Sequence, residues 1–262
     1  MASGREVHAV TCGVSLLTNA ARAHLAGSLD LGLDEAVVRE MTKPKTTERA
    51  VSSLGGSARM GLEDRLLEYA ERDPRRACAE LNALGAYLAE RGVDLDRAAD
   101  LISEVHLIAS DTASGTLTAE VLARFLRERG LAVSVHTVRG FQSGDYESAL
   151  ENLRSAVKSL VDRFGDVVLN LTGGFKAEVA ALSVLAAESG LRAYYIHESA
   201  RRVVFLPTAS RLKVRTTWPE RALALISIAL AVPFDSLLGS PWFLVPTIPL
   251  ALFGSWLALR MV

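Results

Sequence analysis

At 262 residues and 50% hydrophobic content, the chain can bury one substantial core and a small appendage. Its formal net charge of −1 provides no global basic field, which excludes long nucleic acid as an expected partner and leaves any anionic ligand to a local site. Two cysteines far apart, Cys12 and Cys78, make no disulfide framework and fit a reducing cytosol.

The N-terminus does not read as a signal peptide, because Met1 to Val10 carries Arg5, Glu6 and His8 where an apolar core is required. Glu6 to Cys12 reads instead as a strand ending at Gly13, and Leu16 to Leu25 continues as a helix. Residues 31–100 look helical and polar, with no clear strand, and are expected to form a helical insertion. Within them Asp73-Pro74, an N-cap followed by proline, opens a helix to about Arg91. Glu104 to Ala109 is the second strand, closed by Ser110-Asp111-Thr112. After it Leu117, Val121, Leu122, Phe125 and Leu126 recur at helical spacing. Leu131 to Val138 is the third strand, and Tyr146 to Phe164 an amphipathic helix striped by Leu150, Leu153, Val157, Leu160 and Val161. Val167 to Leu171 is the fourth strand, Ala177 to Glu188 a helix and Leu191 to Ile196 the fifth strand. Val203 to Leu206 pairs with the fifth strand across a polar turn. The alternation predicts an α/β fold: a Rossmann-like, doubly wound, mostly parallel sheet.

Composition changes near Trp218. From Ala222 to Leu259 the only charged residue is Asp235, and Asp235 to Pro241 carries turn residues. The tail therefore reads as a transmembrane helical hairpin, Glu220 to Leu238 and Pro241 to Arg260, each of membrane length. Arg211, Lys213, Arg215 and Arg221 precede the first span and Arg260 closes the second, which puts both ends on the cytoplasmic side. All three tryptophans (Trp218, Trp242 and Trp256) fall where interfaces are expected. A buried soluble hairpin, or a single span after a re-entrant stretch, is the alternative. The expected organisation is a domain 1–210, a linker 211–219 and membrane helices 220–262.

The most informative seven residues are Asn170-Leu171-Thr172-Gly173-Gly174-Phe175-Lys176, set between strand and helix. Adjacent glycines allow a sharp turn and close approach of a ligand, and the following helix start suits an anion. Thr172 adds a hydroxyl and Lys176 a cation. The stretch is neither a Walker A loop nor GxGxxG, and Gly-Gly at a strand end also serves packing. Two other strand ends carry similar chemistry: Thr11-Cys12-Gly13-Val14-Ser15 and Ser110-Asp111-Thr112. In an open parallel sheet these ends line one edge, where ligands bind. His8, His106 and Cys12 read as core residues, and Glu63, Asp64 and Glu68 as a solvated stripe.

Thr11 to Asn19, Ala79-Glu80-Leu81-Asn82, Ser110-Asp111-Thr112 and Asn170 to Lys176 together resemble the CRISPR-associated Rossmann-fold (CARF) sensors of type III CRISPR systems. The resemblance spans about Glu6 to Leu206. It implies a homodimer that binds cyclic oligoadenylate, cyclic tetra-adenylate favoured, across its two-fold axis. Thr11, Gly13 and Ser15 would lie near ribose and phosphates. Thr172, Gly173, Gly174 and Lys176 would hold phosphates, and Asp111 or Thr112 would line the adenine side. No cofactor and no metal is implied. The expected protein is a sensor anchored in the cell inner membrane, with its sensor domain cytoplasmic and a lipid bilayer as partner. The alternative is a ring nuclease in which Ser15 and Lys176 act on the ligand, slowly, for want of a visible general base. Arg129…His136 and Arg192…His197 have the spacing of a HEPN ribonuclease but fall at predicted strands, so they read as coincidences.

Overall fold

The computed structural model describes residues 5–174, 176–196 and 202–206, all within the unit Met1–Ala209. Its frame is a six-stranded sheet: β1 (Glu6–Thr11), β2 (Ile102–Ser110), β3 (Ala132–Val138), β4 (Val167–Asn170), β5 (Ala193–Ile196) and β6 (Val203–Phe205). The strand order is β3-β2-β1-β4-β5-β6, with β6 alone antiparallel among the described strands. This is an α/β Rossmann-like arrangement, and its order reverses between β1 and β4.

Helices cover both faces because the strands are apolar on both. Val10, Val105 and Leu107 pack beneath α1 (Ser15–Leu25) and α7 (Ala113–Arg127). Ala9, Ile108, Val167 and Leu169 pack beneath α8 (Tyr146–Phe164) and α9 (Lys176–Ser189) on the other face. The α7 stripe from Leu117 to Leu126 is buried as its spacing predicts. On α8, Leu153, Val157 and Leu160 are buried while Leu150 and Val161 are half-buried. Asp145 caps the start of α8 by accepting from the Ser148 N–H.

Residues 31–100 are helical, as expected, but not a polar appendage. Between β1 and β2 the chain runs through α2 (Glu35–Met41), α3 (Pro44–Ser52), α4 (Gly56–Arg72), α5 (Pro74–Ala77), α6 (Ala79–Ala89) and a 3-10 turn, Leu95–Asp100. Leu31, Val38, Met41, Leu62, Leu66 and Leu84 from this stretch sit in the main core. Helix α6 lies directly on the sheet, where Ala83 and Tyr87 pack against Val168, Tyr194 and Ile196. The stretch thus supplies the cover for β4 and β5 that a crossover helix would otherwise give.

The single helix expected from Asp73 to about Arg91 is a correction. The start is as read, with Pro74 in first position and Asp73 accepting from the Arg76 N–H. The helix then breaks at Cys78, whose backbone is extended (φ −153°, ψ 164°). Neighbouring groups make the break stable. Asn19 donates to the Arg76 and Ala77 carbonyls that α5 leaves open, and the Cys78 sulfur accepts from the Leu81 N–H. The break aims α6 at the sheet edge where β1 ends.

At the opposite strand ends Glu6 anchors α6. Its carboxylate accepts from the Tyr87 hydroxyl at 2.7 Å, His8 Nε2 at 3.1 Å and an Arg192 N–H at 2.8 Å. Burial alone would raise its pKa, but these bonds and the Arg192 charge lower it to about 2. A carboxylate with a depressed folded pKa stabilises the fold above its unfolded value of 4.5. That contribution, up to about 3 kcal/mol, is lost as pH falls from about 4.5 toward 2. Glu6→Gln is therefore expected to lower the thermal midpoint at pH 7 and to flatten its fall over that window. A midpoint that keeps the same acid dependence would contradict the assignment.

His8 and His106 are buried, and burial pushes both below the usual histidine range. Glu63, Asp64 and Glu68 form surface ion pairs with Arg59, Arg124 and Arg72. Arg192 pairs with Glu6 and Asp166, and Arg129 lies beyond the end of α7, paired with Asp96. Among the described residues no helix is long and apolar enough to cross a membrane. The two expected membrane helices lie outside the described residues.

Candidate ligand-binding site

The reversal of strand order brings the loops after β1 and β4 together. A Cβ built on Gly13 would lie only 2.7 Å from the Gly174 nitrogen, so the two backbones touch. The Thr11 hydroxyl, buried, donates to the Gly173 carbonyl at 2.7 Å. Gly174 has φ +89°, a left-handed conformation that glycine adopts without strain. Thr172 is tied to β5, its hydroxyl oxygen accepting from the Ile196 N–H at 3.1 Å. Lys176 opens α9 and is exposed. The loops after β1 and β4 therefore meet, Thr11 and Gly13 against Gly173 and Gly174, with Ser15 and Lys176 opening the helices that follow.

Asp111 and Thr112 lie one strand away, beyond the end of β2, and are already engaged. The Asp111 carboxylate accepts from the Gly140 and Gln142 N–H groups and so holds the loop after β3. Thr112 is the N-cap of α7, accepting from the Gly115 N–H at 3.1 Å.

The residue that ties these loops to α6 is Glu80, which reading by loops missed. It reaches in from α6, 1% exposed. Its Oε1 accepts from the Gly13 N–H at 2.6 Å and its Oε2 from the Ser15 hydroxyl at 2.9 Å. Ser15 in turn accepts from the Ala79 N–H at 3.0 Å. The α6 backbone joins the β4 loop as well, since Asn170 donates its amide to the Glu80 carbonyl. A second carboxylate, Glu178, is buried beside Gly174. Burial, then the Glu80 charge, pushes the thiols of Cys12 and Cys78 well up, which leaves both as neutral packing groups.

The glycines follow from this arrangement as much as from any ligand. A side chain at Gly173 would collide with Glu80 Oε1 and the Thr11 carbonyl, and one at Gly174 with Glu178. Gly173→Ala is expected to destabilise the domain by about 1–3 kcal/mol, the usual range for overpacking. Thermal unfolding checks this, and an unchanged midpoint would mean that the clasp between Glu80 and the loop is loose.

Helix α7 repeats the theme. Glu48 from α3 accepts from the Ala113 and Ser114 N–H groups, each at 2.9 Å, and from the Ser114 hydroxyl. Burial opposes its charge, but the Ser114 hydroxyl and the backbone donors hold its carboxyl below the usual range. An internal carboxylate thus occupies the N-terminus of α7.

The family model described as CRISPR-associated protein (Cas_APE2256) matches residues 75–209, just over half of the chain. The chain belongs to that family. Its matched stretch begins just before α6 and so contains Glu80, Asp111, Thr112 and the loop from Thr172 to Lys176. The β1 loop lies outside the match and joins it through the Glu80 bonds to Gly13 and Ser15. A search of the curated proteins finds no match. No group of His, Cys, Asp and Glu that could hold a metal ion occurs among the described residues.

Proposed function

We propose that this CRISPR-associated protein is a membrane-anchored CARF-type sensor in type III CRISPR antiviral defence. Residues 1–210 bind cyclic oligoadenylate, cyclic tetra-adenylate favoured, as a homodimer. Residues 220–262 insert into the inner membrane, leave the sensor domain cytoplasmic and carry the signal. The observation that carries this reading is the meeting of the β1 and β4 loops at the reversal of strand order, in a chain of a CRISPR-associated family. Lys176 at the start of α9 offers a cation and a helix terminus to a phosphate. A cyclic ligand with even symmetry suits an isologous dimer, in which each copy gives the same loops.

One observation favours a second reading, a ring nuclease. Glu80 stands 2.9 Å from the Ser15 oxygen and supplies the base that the sequence did not reveal. In that reaction a ribose 2′-oxygen attacks the adjacent phosphorus and the 5′-oxygen leaves. The 2′-hydroxyl proton passes to Ser15 while the proton of Ser15 passes to Glu80. Lys176 faces the charge on the phosphoryl oxygens, and solvent protonates the leaving oxygen. Incubating the purified full-length protein with a panel of cyclic oligoadenylates, followed by chromatography, decides between the two. A sensor returns the bound ring intact. Linear products, formed about 10²–10⁴-fold more slowly by Glu80→Gln, would establish the nuclease.

A further inference from the structure

An open pocket of about 600 Å³ lies where α5, α6 and the start of β6 meet, and none of its lining residues belongs to the loops after β1, β2 or β4. That volume is within the range that holds a small ligand. Ala86, Ala89 and Val203 give it apolar surface, and Arg75, Arg202 and Glu90 supply its charges. A Cβ built on Gly85 would lie 3.5 Å from Arg75 Cγ and 3.7 Å from its Cδ, so the stem of Arg75 runs along bare α6 backbone. The charges are unbalanced. Arg72 and Arg76, on either side of Arg75 in the sequence, pair with Glu68 and Asp73. Arg75 and Arg202 make no hydrogen bond or ion pair among the described residues. Glu90, the one carboxylate on the lining, is committed to β6, its Oε1 accepting from the Val203 N–H at 3.3 Å. Two guanidiniums with their N–H donors open thus face a single, partly engaged carboxylate.

We infer that this pocket is a second anion site, one that takes a phosphate group carried on a small carbon skeleton. A carboxylate ligand presents two oxygens in one plane and is satisfied by one guanidinium fork. A phosphate points its oxygens in several directions and takes a fork from each arginine. Ala86, Ala89 and Val203 offer apolar contact to the glycerol or ribose that bears the phosphate. Arg75 and Arg202 are both exposed, so water competes for each and the affinity depends on the two acting together. The site goes beyond the functional reading above and does not depend on it. A phosphate of this kind comes from a lipid headgroup or from a free nucleotide, and the two are separated by the choice of probe.

The test titrates the full-length protein in neutral detergent with three soluble probes. These are inorganic phosphate, adenosine 5′-monophosphate, and glycerophosphoglycerol, which is the headgroup of phosphatidylglycerol without its chains. Saturable binding of at least one is expected at millimolar concentration or below, weakened about tenfold by Arg75→Gln and by Arg202→Gln. Ala89→Leu keeps both charges but fills the pocket, and should weaken binding as well. Leucine suits an exposed helical position, so this variant should fold. Arg39→Gln removes the same charge from the exposed Arg39–Glu35 pair on α2 and should change nothing. A preference for the nucleotide or for the headgroup identifies the source, and equal binding of all three probes means that the phosphate group alone is read. Binding of no probe, or binding that Arg75→Gln, Arg202→Gln and Ala89→Leu all leave unchanged, overturns the inference. Titration of the same variants with cyclic tetra-adenylate, expected to be unaltered, reports separately on the strand-end loops.

Discussion

Lys176→Ala is expected to remove most of the affinity for cyclic tetra-adenylate while leaving the fold intact. Lys176 is exposed at the first position of α9, so its loss opens no cavity. The other polar groups of the cleft are largely committed to one another. Thr11 holds the Gly173 carbonyl, Thr172 holds β5, and Gly13 and Ser15 hold Glu80. That leaves Lys176 as the principal counter-charge for the ligand among the described cleft residues. A charge-assisted contact contributes about 1.5–3 kcal/mol, and a two-fold dimer loses two of them, which corresponds to roughly 10²–10⁴-fold in affinity. Thr172→Val should cost much less. Calorimetric titration checks both, with circular dichroism as the control for folding. Unchanged affinity in a folded Lys176→Ala protein would make the glycine loop a purely structural device.

Deleting the chain from Trp218 onward is expected to abolish the cellular response to ligand without abolishing ligand binding. The residues of the first unit form cores of their own, on both faces of the sheet. The tail has a different chemistry, with Asp235 the only charge between Ala222 and Leu259. On the proposed reading that segment enters lipid, as two spans of about 20 residues. Full-length protein should resist carbonate extraction, and the truncated form should be soluble and still bind the ring. In cells producing cyclic oligoadenylate, growth arrest should follow only from the full-length form. Full-length protein in the soluble fraction would contradict the anchor. Rapid ligand clearance by the truncated form, with harmless full-length protein, would favour the nuclease.

The strands and long helices were legible because their signals are local. Apolar runs at β1 and β2, and the stripe on α7, depend on spacing alone, and the structure returns them to within two residues. The meeting of two of the three loops was legible for the same reason: hydroxyls and glycines at strand ends are short sequence signals, and the strand order brings the β1 and β4 loops together. Glu80 was not legible as a cleft residue. It belongs to a helix 65 residues beyond Ser15, and only the break at Cys78 points it at the β1 loop. The piece Ala79-Glu80-Leu81-Asn82 carried the clue, since a charged residue on an otherwise apolar helix needs a partner. The break itself was hidden because it depends on Asn19 and Ser15, far away in sequence, to satisfy the open helix ends. Residues 31–100 read as polar because their apolar residues are few on each helix, as on α4, where Leu62, Leu66, Leu67 and Ala70 are buried in a run otherwise rich in charge.

The central claim is that two copies of this chain share one cyclic oligoadenylate across the cleft built by Gly13, Gly174 and Lys176. The most direct measurement is an equilibrium titration of the full-length protein in detergent with cyclic tetra-adenylate, with linear tetra-adenylate as the control. The account predicts saturation at one ring per two chains, with the linear form binding far more weakly. Saturation at one ring per chain, equal binding of the linear form, or no binding at all would contradict it.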